Sequence, residues 1–166
     1  MTAPTGQYGD AADREGASAA AGSLRLPRAV FEAIRRHGEE TYPHESCGAL
    51  LGRPEAGGWR VEGLMRTANA CTDSACDRYE IAAAELVKIV REARARGLEV
   101  AGFYHSHPDH PPQWSAADLR GAHWPGLSYV ITQVASGKAA ATRAFLLSGA
   151  GEDDKRFEAQ EIRVEG

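Results

Sequence analysis

The sequence is short of cysteine, of long apolar runs and of net charge, and each shortage excludes something. Of its 166 residues only Cys47, Cys71 and Cys76 are cysteines. An odd, low count argues against a disulfide framework and suits a reducing cytosol, so a cytoplasmic protein is expected. Cys71 and Cys76 are near enough to pair, yet they are not Cys-x-x-Cys and no second pair completes a zinc ribbon. They read as two small loop residues. No apolar run reaches the ~20 residues of a membrane helix, and "MTAPTGQYGDAADREGASAAAGS" lacks the apolar stretch of a secretory signal. The formal net charge is only −4, which excludes a general nucleic-acid or anionic-membrane surface.

Large apolar side chains are almost absent from residues 1–22. Such a segment cannot offset its ordering entropy, so a disordered tail is expected there. Residues 23–166 are long enough for one domain with a proper core.

Within that domain, "LPRAVFEAIRRHGEETYP" predicts a helix with Pro27 in its first turn and Val30, Phe31 and Ile34 on one face. Pro43 stops it. His37 is expected on its surface. "CGALLG" and "GWRVEGLMRT" predict two strands joined through "RPEAGG", and "YEI" a brief third. "AAAELVKIVREARARG" predicts an amphipathic helix ended by Gly97. "LEVAGFYHSH" is apolar enough to be a central strand. A short helix from Ser115 to about Ala122 follows, then strands in "LSYVITQVA", "AATRAFLLS" and "RFEAQEIRVEG". The fold class expected is α/β, a mixed β-sheet with helices packed against it.

The chemistry concentrates in "YHSHPDHPPQWSAAD". His105 and His107 are two apart at a strand end, so both imidazoles project from one face and Ser106 from the other. Two imidazoles on one face can share an ion. Asp118, at the start of the next helix, is the best third ligand, and His2Asp with one open position is a catalytic zinc pattern. The competing reading is that Ser115 and Asp118 only cap that helix. His110 reads as a loop residue or rim contact, and His123 as a partner of the helix dipole. A zinc hydrolase also needs a base for its water. Glu45 in "YPHESCGALLG" is a candidate. It is not part of His-Glu-x-x-His, because Gly48 stands four residues after His44. Spacing alone does not separate it from Glu39 or Glu40.

Together "YPHESCGALLG" and "GFYHSHPDHPPQWSAAD" resemble the JAMM zinc metalloproteases, the catalytically competent MPN domains. That signature is a Glu, then His-x-His, seven residues, and Ser-x-x-Asp. The resemblance covers Leu24 to the C-terminus and implies an MPN-like (cytidine-deaminase-like) fold. It implies that His105, His107 and Asp118 hold one catalytic Zn2+. It makes Glu45 the group that takes a proton from the zinc-bound water and passes it to the leaving amine. Ser115 would steady the oxyanion, turning its hydroxyl to the site without filling the cap role at the same time. Trp114 departs from a proline common in bacterial relatives, and Ala82 and its neighbours depart from a proline after "YEI". Cys47 resembles a residue usual in bacterial members, with a packing role.

Bacterial single-domain members resemble peptidases of ubiquitin-fold sulfur-carrier proteins, so a peptidase or isopeptidase cleaving at the C-terminal tail of such a carrier is the function implied. The tail would dock as an added strand on a sheet edge. The short loop before Tyr79 and the roughly ten residues from Asp118 to the next strand leave little to grip a second ubiquitin-sized body. The alternatives are a metal-free MPN scaffold, a deubiquitinase-like isopeptidase acting on ubiquitin-like conjugates, and a RadC-like metal hydrolase. The expected partner is the carrier as substrate, with neither nucleic acid nor membrane. A homodimer is compatible with this reading.

Overall fold

The computed structural model describes residues 22–73 and 77–166. The tail expected over residues 1–22 and any pairing of Cys71 with Cys76 fall almost wholly outside them.

The elements run β1 (Ser23–Pro27), α1 (Arg28–Thr41), β2 (Cys47–Glu55), β3 (Gly58–Thr67), α2 (Ala83–Ala95), β4 (Glu99–Pro108), α3 (Ala116–Gly121), β5 (Ser128–Ala135), β6 (Lys138–Ser148) and β7 (Arg156–Glu165). The seven strands form one mixed sheet that closes on itself in the order β1-β3-β2-β4-β5-β6-β7, with β1 parallel to both β3 and β7. The expected α/β class with a central β4 holds: β4 lies between antiparallel β2 and parallel β5.

Two expected elements differ. The first helix starts at Arg28 and Pro27 is its N-cap, ending a five-residue strand that helical periodicity had hidden. "YEI" is not a strand. Tyr79–Ile81 does not join the sheet.

The alternation of strand side chains builds two cores, one on each face of β2 and β4. Leu50 and Tyr104 join Leu24, Leu26, Val30, Ile34 and Val130 in the first. Ala49, Leu51 and Phe103 join Ile89, Ala93 and Tyr129 in the second. Val30 and Ile34 come from α1 and Ile89 and Ala93 from α2, so each helix covers one face and the strands between read as continuous apolar runs. Gly48 is required by this packing, since a Cβ there would lie 2.5 Å from the Tyr104 ring. Gly97 ends α2 in the left-handed region at φ +67°.

His37 is not a surface residue. It lies at the same helical face as Val30 and Ile34, is buried, and its Nδ1 is 2.8 Å from the Tyr104 hydroxyl. Burial first, then the Arg66 guanidinium, lower its pKa to about 4, against an opposing pull from Glu40. The unfolded chain binds this proton near pH 6.5 and the folded one does not, so His37 contributes stability above that pH and the contribution is lost as pH falls toward 4. We expect ~1–3 kcal/mol to be lost between pH 7.5 and 4.5. His37→Gln should flatten this part of the profile in denaturant titrations at the two pH values.

Candidate functional site

The site forms where β4 runs out of the sheet. His105 and His107 leave it on the face of Phe103, toward α2, and Ser106 leaves on the face of Tyr104, as the pleat requires. The two Nε2 atoms are 3.1 Å apart. Asp118, in the first turn of α3, closes the third side: Oδ1 is 3.2 Å from His105 Nε2 and Oδ2 is 3.2 Å from His107 Nε2. The eleven-residue spacing thus brings the three expected ligands onto one point.

Glu45 reaches the same point from the two residues leading into β2. Antiparallel register pairs Cys47 with His105 and Gly48 with Tyr104. Carried two residues further, it sets Glu45 across from His107. This register, invisible in spacing, separates Glu45 from Glu39, which bonds the Ala139 amide, and from Glu40, which pairs with Arg66. The ligand atoms of Glu45, His105 and His107 lie within 4.8 Å of one another. Ser106 fixes this approach on the opposite face: its Oγ accepts the Ser46 N–H at 2.8 Å, and its own N–H donates to the Ser46 carbonyl at 3.2 Å.

The donor set fits a divalent cation. His107 Nδ1 is 2.8 Å from the Pro111 carbonyl, a contact only an N–H can make. In the neutral ring this leaves a lone pair on Nε2, facing His105 and Asp118. Both oxygens of buried Glu45 have no hydrogen-bond partner among the described residues. Burial, then the negative charges of Asp118 and Asp77 and the Cys71 thiol, push its pKa up to about 10. Burial would also raise Asp118, but the two imidazoles outweigh it and hold that carboxyl well below the usual range. His105 is lowered by burial, with Asp118 opposing. The Asp118 carboxylate, the buried Glu45 carboxyl and the two imidazole Nε2 atoms converge on one point, a donor set that a zinc-type ion takes.

Ser115 caps α3. Its Oγ accepts the Asp118 N–H at 3.0 Å, and Asp118 Oδ2 accepts the Ser115 N–H at 2.8 Å, a complete capping box. The cap itself does not consume the hydroxyl proton that a site role would use. Capping uses an oxygen lone pair and leaves the O–H proton available.

The other residues singled out settle into structural places. Trp114 packs at a tilt against Phe157, ring centroids 5.7 Å apart, and so ties the loop before Ser115 to β7. His110 is half-buried in that loop and is not in the group formed by Glu45, His105 and His107. His123 is exposed, 3.1 Å from Glu152 rather than at a helix end's carbonyls. Cys47 is buried with Sγ 3.3 Å from the Thr67 hydroxyl, and burial pushes its thiol up, which suits packing. Cys71 is buried and its Sγ accepts from Arg78 Nε at 2.9 Å. Two residues beside the site carried no expectation of a site role. Tyr79, read as part of a strand, stacks on His105, and Asn69 holds the backbone around Tyr79.

A sheet of this topology with two histidines and two acids at the end of its central strand is the architecture of JAB/MPN domains. The family described as prokaryotic homologs of the JAB domain matches residues 27–147, and the chain belongs to it. It is 36% identical over 112 residues to a desampylase of Haloferax volcanii, covering 65% of this chain and 78% of that protein. It is 32% identical over 108 residues to a Thermus thermophilus protein named "Probable TtuB-protein conjugate cleaving protease", covering 65% and 68%. Among solved structures, a Desulfitobacterium hafniense protein superposes with TM-score 0.72 at 28% identity, covering 86% of this chain and 92% of that one. A JAB1/MPN domain protein from Archaeoglobus fulgidus superposes with TM-score 0.54 at 16% identity, covering 87% and 98%, and shares the fold.

Proposed function

We propose that this protein is a zinc-dependent hydrolase that cleaves a peptide or isopeptide bond at the C-terminal tail of a ubiquitin-like protein. The observation that carries this is Glu45: a buried carboxylate without a hydrogen-bond partner, beside the converging Nε2 atoms of His105 and His107. His105, His107 and Asp118 would hold the ion, which when bound acidifies water and polarises a carbonyl. Glu45 would accept the proton of the attacking water and return it to the leaving nitrogen, with a bound cation beside it favouring the ionised carboxylate that the first step needs. Ser115 directs its O–H toward the developing oxyanion while its lone pair holds the cap. The metal-free scaffold reading leaves the unpartnered Glu45 without a purpose. The "YPHESCG" element separates the chain from a RadC-like hydrolase.

Among the described residues every strand has a neighbour on both sides. Yet β1 covers β3 only at Gly58–Arg60, so β3 beyond Arg60 keeps an open stretch of edge to which the substrate tail would add as a strand. A cleft of about 430 Å³ beside Asp118, with Tyr79, Leu86, Phe103 and Tyr129 in its walls, would take the end of the tail next to the site. A single-residue trimmer of a sulfur-carrier tail is our reading. An isopeptidase acting on ubiquitin-like conjugates is the second, favoured by the relative named as cleaving TtuB-protein conjugates. No helix among the described residues is long and apolar enough to cross a membrane. We propose a cytoplasmic location on the low, odd cysteine count.

Incubating the zinc-loaded protein with a linear ubiquitin-like fusion and with a lysine-linked conjugate tests the function and separates the two readings. Cleavage of neither, with zinc bound, would refute both. Ser115→Ala should retain zinc and lose ~10²–10³ in kcat, together with about 1 kcal/mol of stability from the cap. A loss of stability alone would leave Ser115 a cap only.

A further inference from the structure

The two histidines at the site are held by different means. His107 has the Pro111 carbonyl on its Nδ1. His105 Nδ1 is buried and has no hydrogen-bond partner among the described residues. An imidazole whose far nitrogen makes no hydrogen bond lacks the usual device that orients a metal-binding histidine. Packing must orient it instead.

Tyr79 provides that packing. Its ring lies on the His105 imidazole, centroids 4.3 Å apart and planes 23° from parallel. Tyr79 is itself in a segment outside the sheet, so something else must hold it. Asn69 does. Its Nδ2 donates to the Arg78 carbonyl at 3.1 Å, and its Oδ1 accepts the Glu80 N–H at 3.0 Å. One side-chain amide thus grips the peptide groups on both sides of Tyr79. The same Oδ1 accepts the Cys71 N–H at 3.0 Å, and the Ala70 N–H donates to the Glu80 carbonyl at 2.8 Å. The segment is fixed from the end of β3, whose partner β2 leads back to Glu45.

We infer that Asn69 and Tyr79 form a brace that positions His105 for the metal, Tyr79 as the stacked face and Asn69 as the clamp on its backbone. The inference rests on the reading of His105 as a metal ligand. Both are positioning residues. The brace requires an aromatic ring at 79 and does not require a hydroxyl.

Zinc affinity of the full-length apoprotein, measured by competition with a chromogenic chelator, tests this without any substrate. Tyr79→Leu should weaken zinc ~10–100-fold, the range for lost outer-shell support, and Tyr79→Phe should stay within about threefold of wild type. Asn69→Ala should weaken zinc in the same sense. The double variant should be no weaker than Tyr79→Leu within about threefold, because both changes break one device. In cobalt-substituted protein, the ligand-field bands should shift in Tyr79→Leu and return in Tyr79→Phe. A folded Tyr79→Leu with wild-type affinity overturns the brace, and so does a Tyr79→Phe as weak as the Leu variant. Should Tyr79→Leu fail to fold, a wild-type affinity in Asn69→Ala overturns it. A wild-type protein that binds zinc no better than His107→Ala would instead refute the metal site itself, and the brace with it.

Discussion

Glu45→Gln is expected to keep zinc and to lower cleavage of a ubiquitin-like fusion by ~10²–10⁴-fold, the usual contribution of a positioned acid–base group. Glutamine has nearly the same shape and leaves the packing around residue 45 intact. It cannot accept a proton from water. Burial pushes the Glu45 pKa up to about 10, so the metal-free parent already holds a neutral group there, and the variant should fold about as well as the parent. Metal analysis and single-turnover cleavage of the same preparation separate the outcomes. Full activity with zinc bound would remove Glu45 from the mechanism. Lost zinc would make it a ligand, a role its proximity to both imidazoles also permits.

His107→Ala is expected to abolish zinc binding at the one-per-chain level. His107 touches all sides of the site: His105 at 3.1 Å, Asp118 at 3.2 Å and the Pro111 carbonyl at 2.8 Å. Its removal should weaken zinc well beyond the ~100-fold upper range for an outer-shell change. A second readout is thermal. Zinc at ~100 times its Kd stabilises the folded state by about 2.7 kcal/mol. For a domain of roughly 150 residues this raises Tm by ~5–10 °C. The wild type should show that shift on adding zinc and His107→Ala should not. Equal shifts in both would place zinc elsewhere on the protein.

Much of this site was legible because its spacing follows local geometry. A period of two puts His105 and His107 on one face of a strand, and Ser-x-x-Asp marks a helix start, so both survive without tertiary information. Glu45 was legible only through family resemblance, because the β2–β4 register that places it is a contact between distant segments. His37 could have been found, since it follows Val30 and Ile34 at helical spacing and its polarity alone argued for the surface. β1 was lost because five residues ending in Pro27 look like a helix lead-in. Its partners lie at positions 58–60 and 161–165. "YEI" alternates like a strand, yet Asn69 satisfies its backbone in place of a neighbouring strand. The brace, the Pro111 carbonyl on His107 and the closure of the sheet all depend on pairings that no local pattern announces.

The closure carries a consequence for how the molecule is made. Ser23–Pro27 is held by Glu161–Glu165, so the first described strand waits for the last. The hairpin of β2 and β3 is local and can form early. The ring cannot close until almost the whole chain has left the ribosome, and such distant pairings are the slow ones to form. Until then β1 and β6 each present an unpaired side. A chain cut before Arg156 would keep every residue of the zinc site and still expose two strand edges, the template on which unfinished sheets associate.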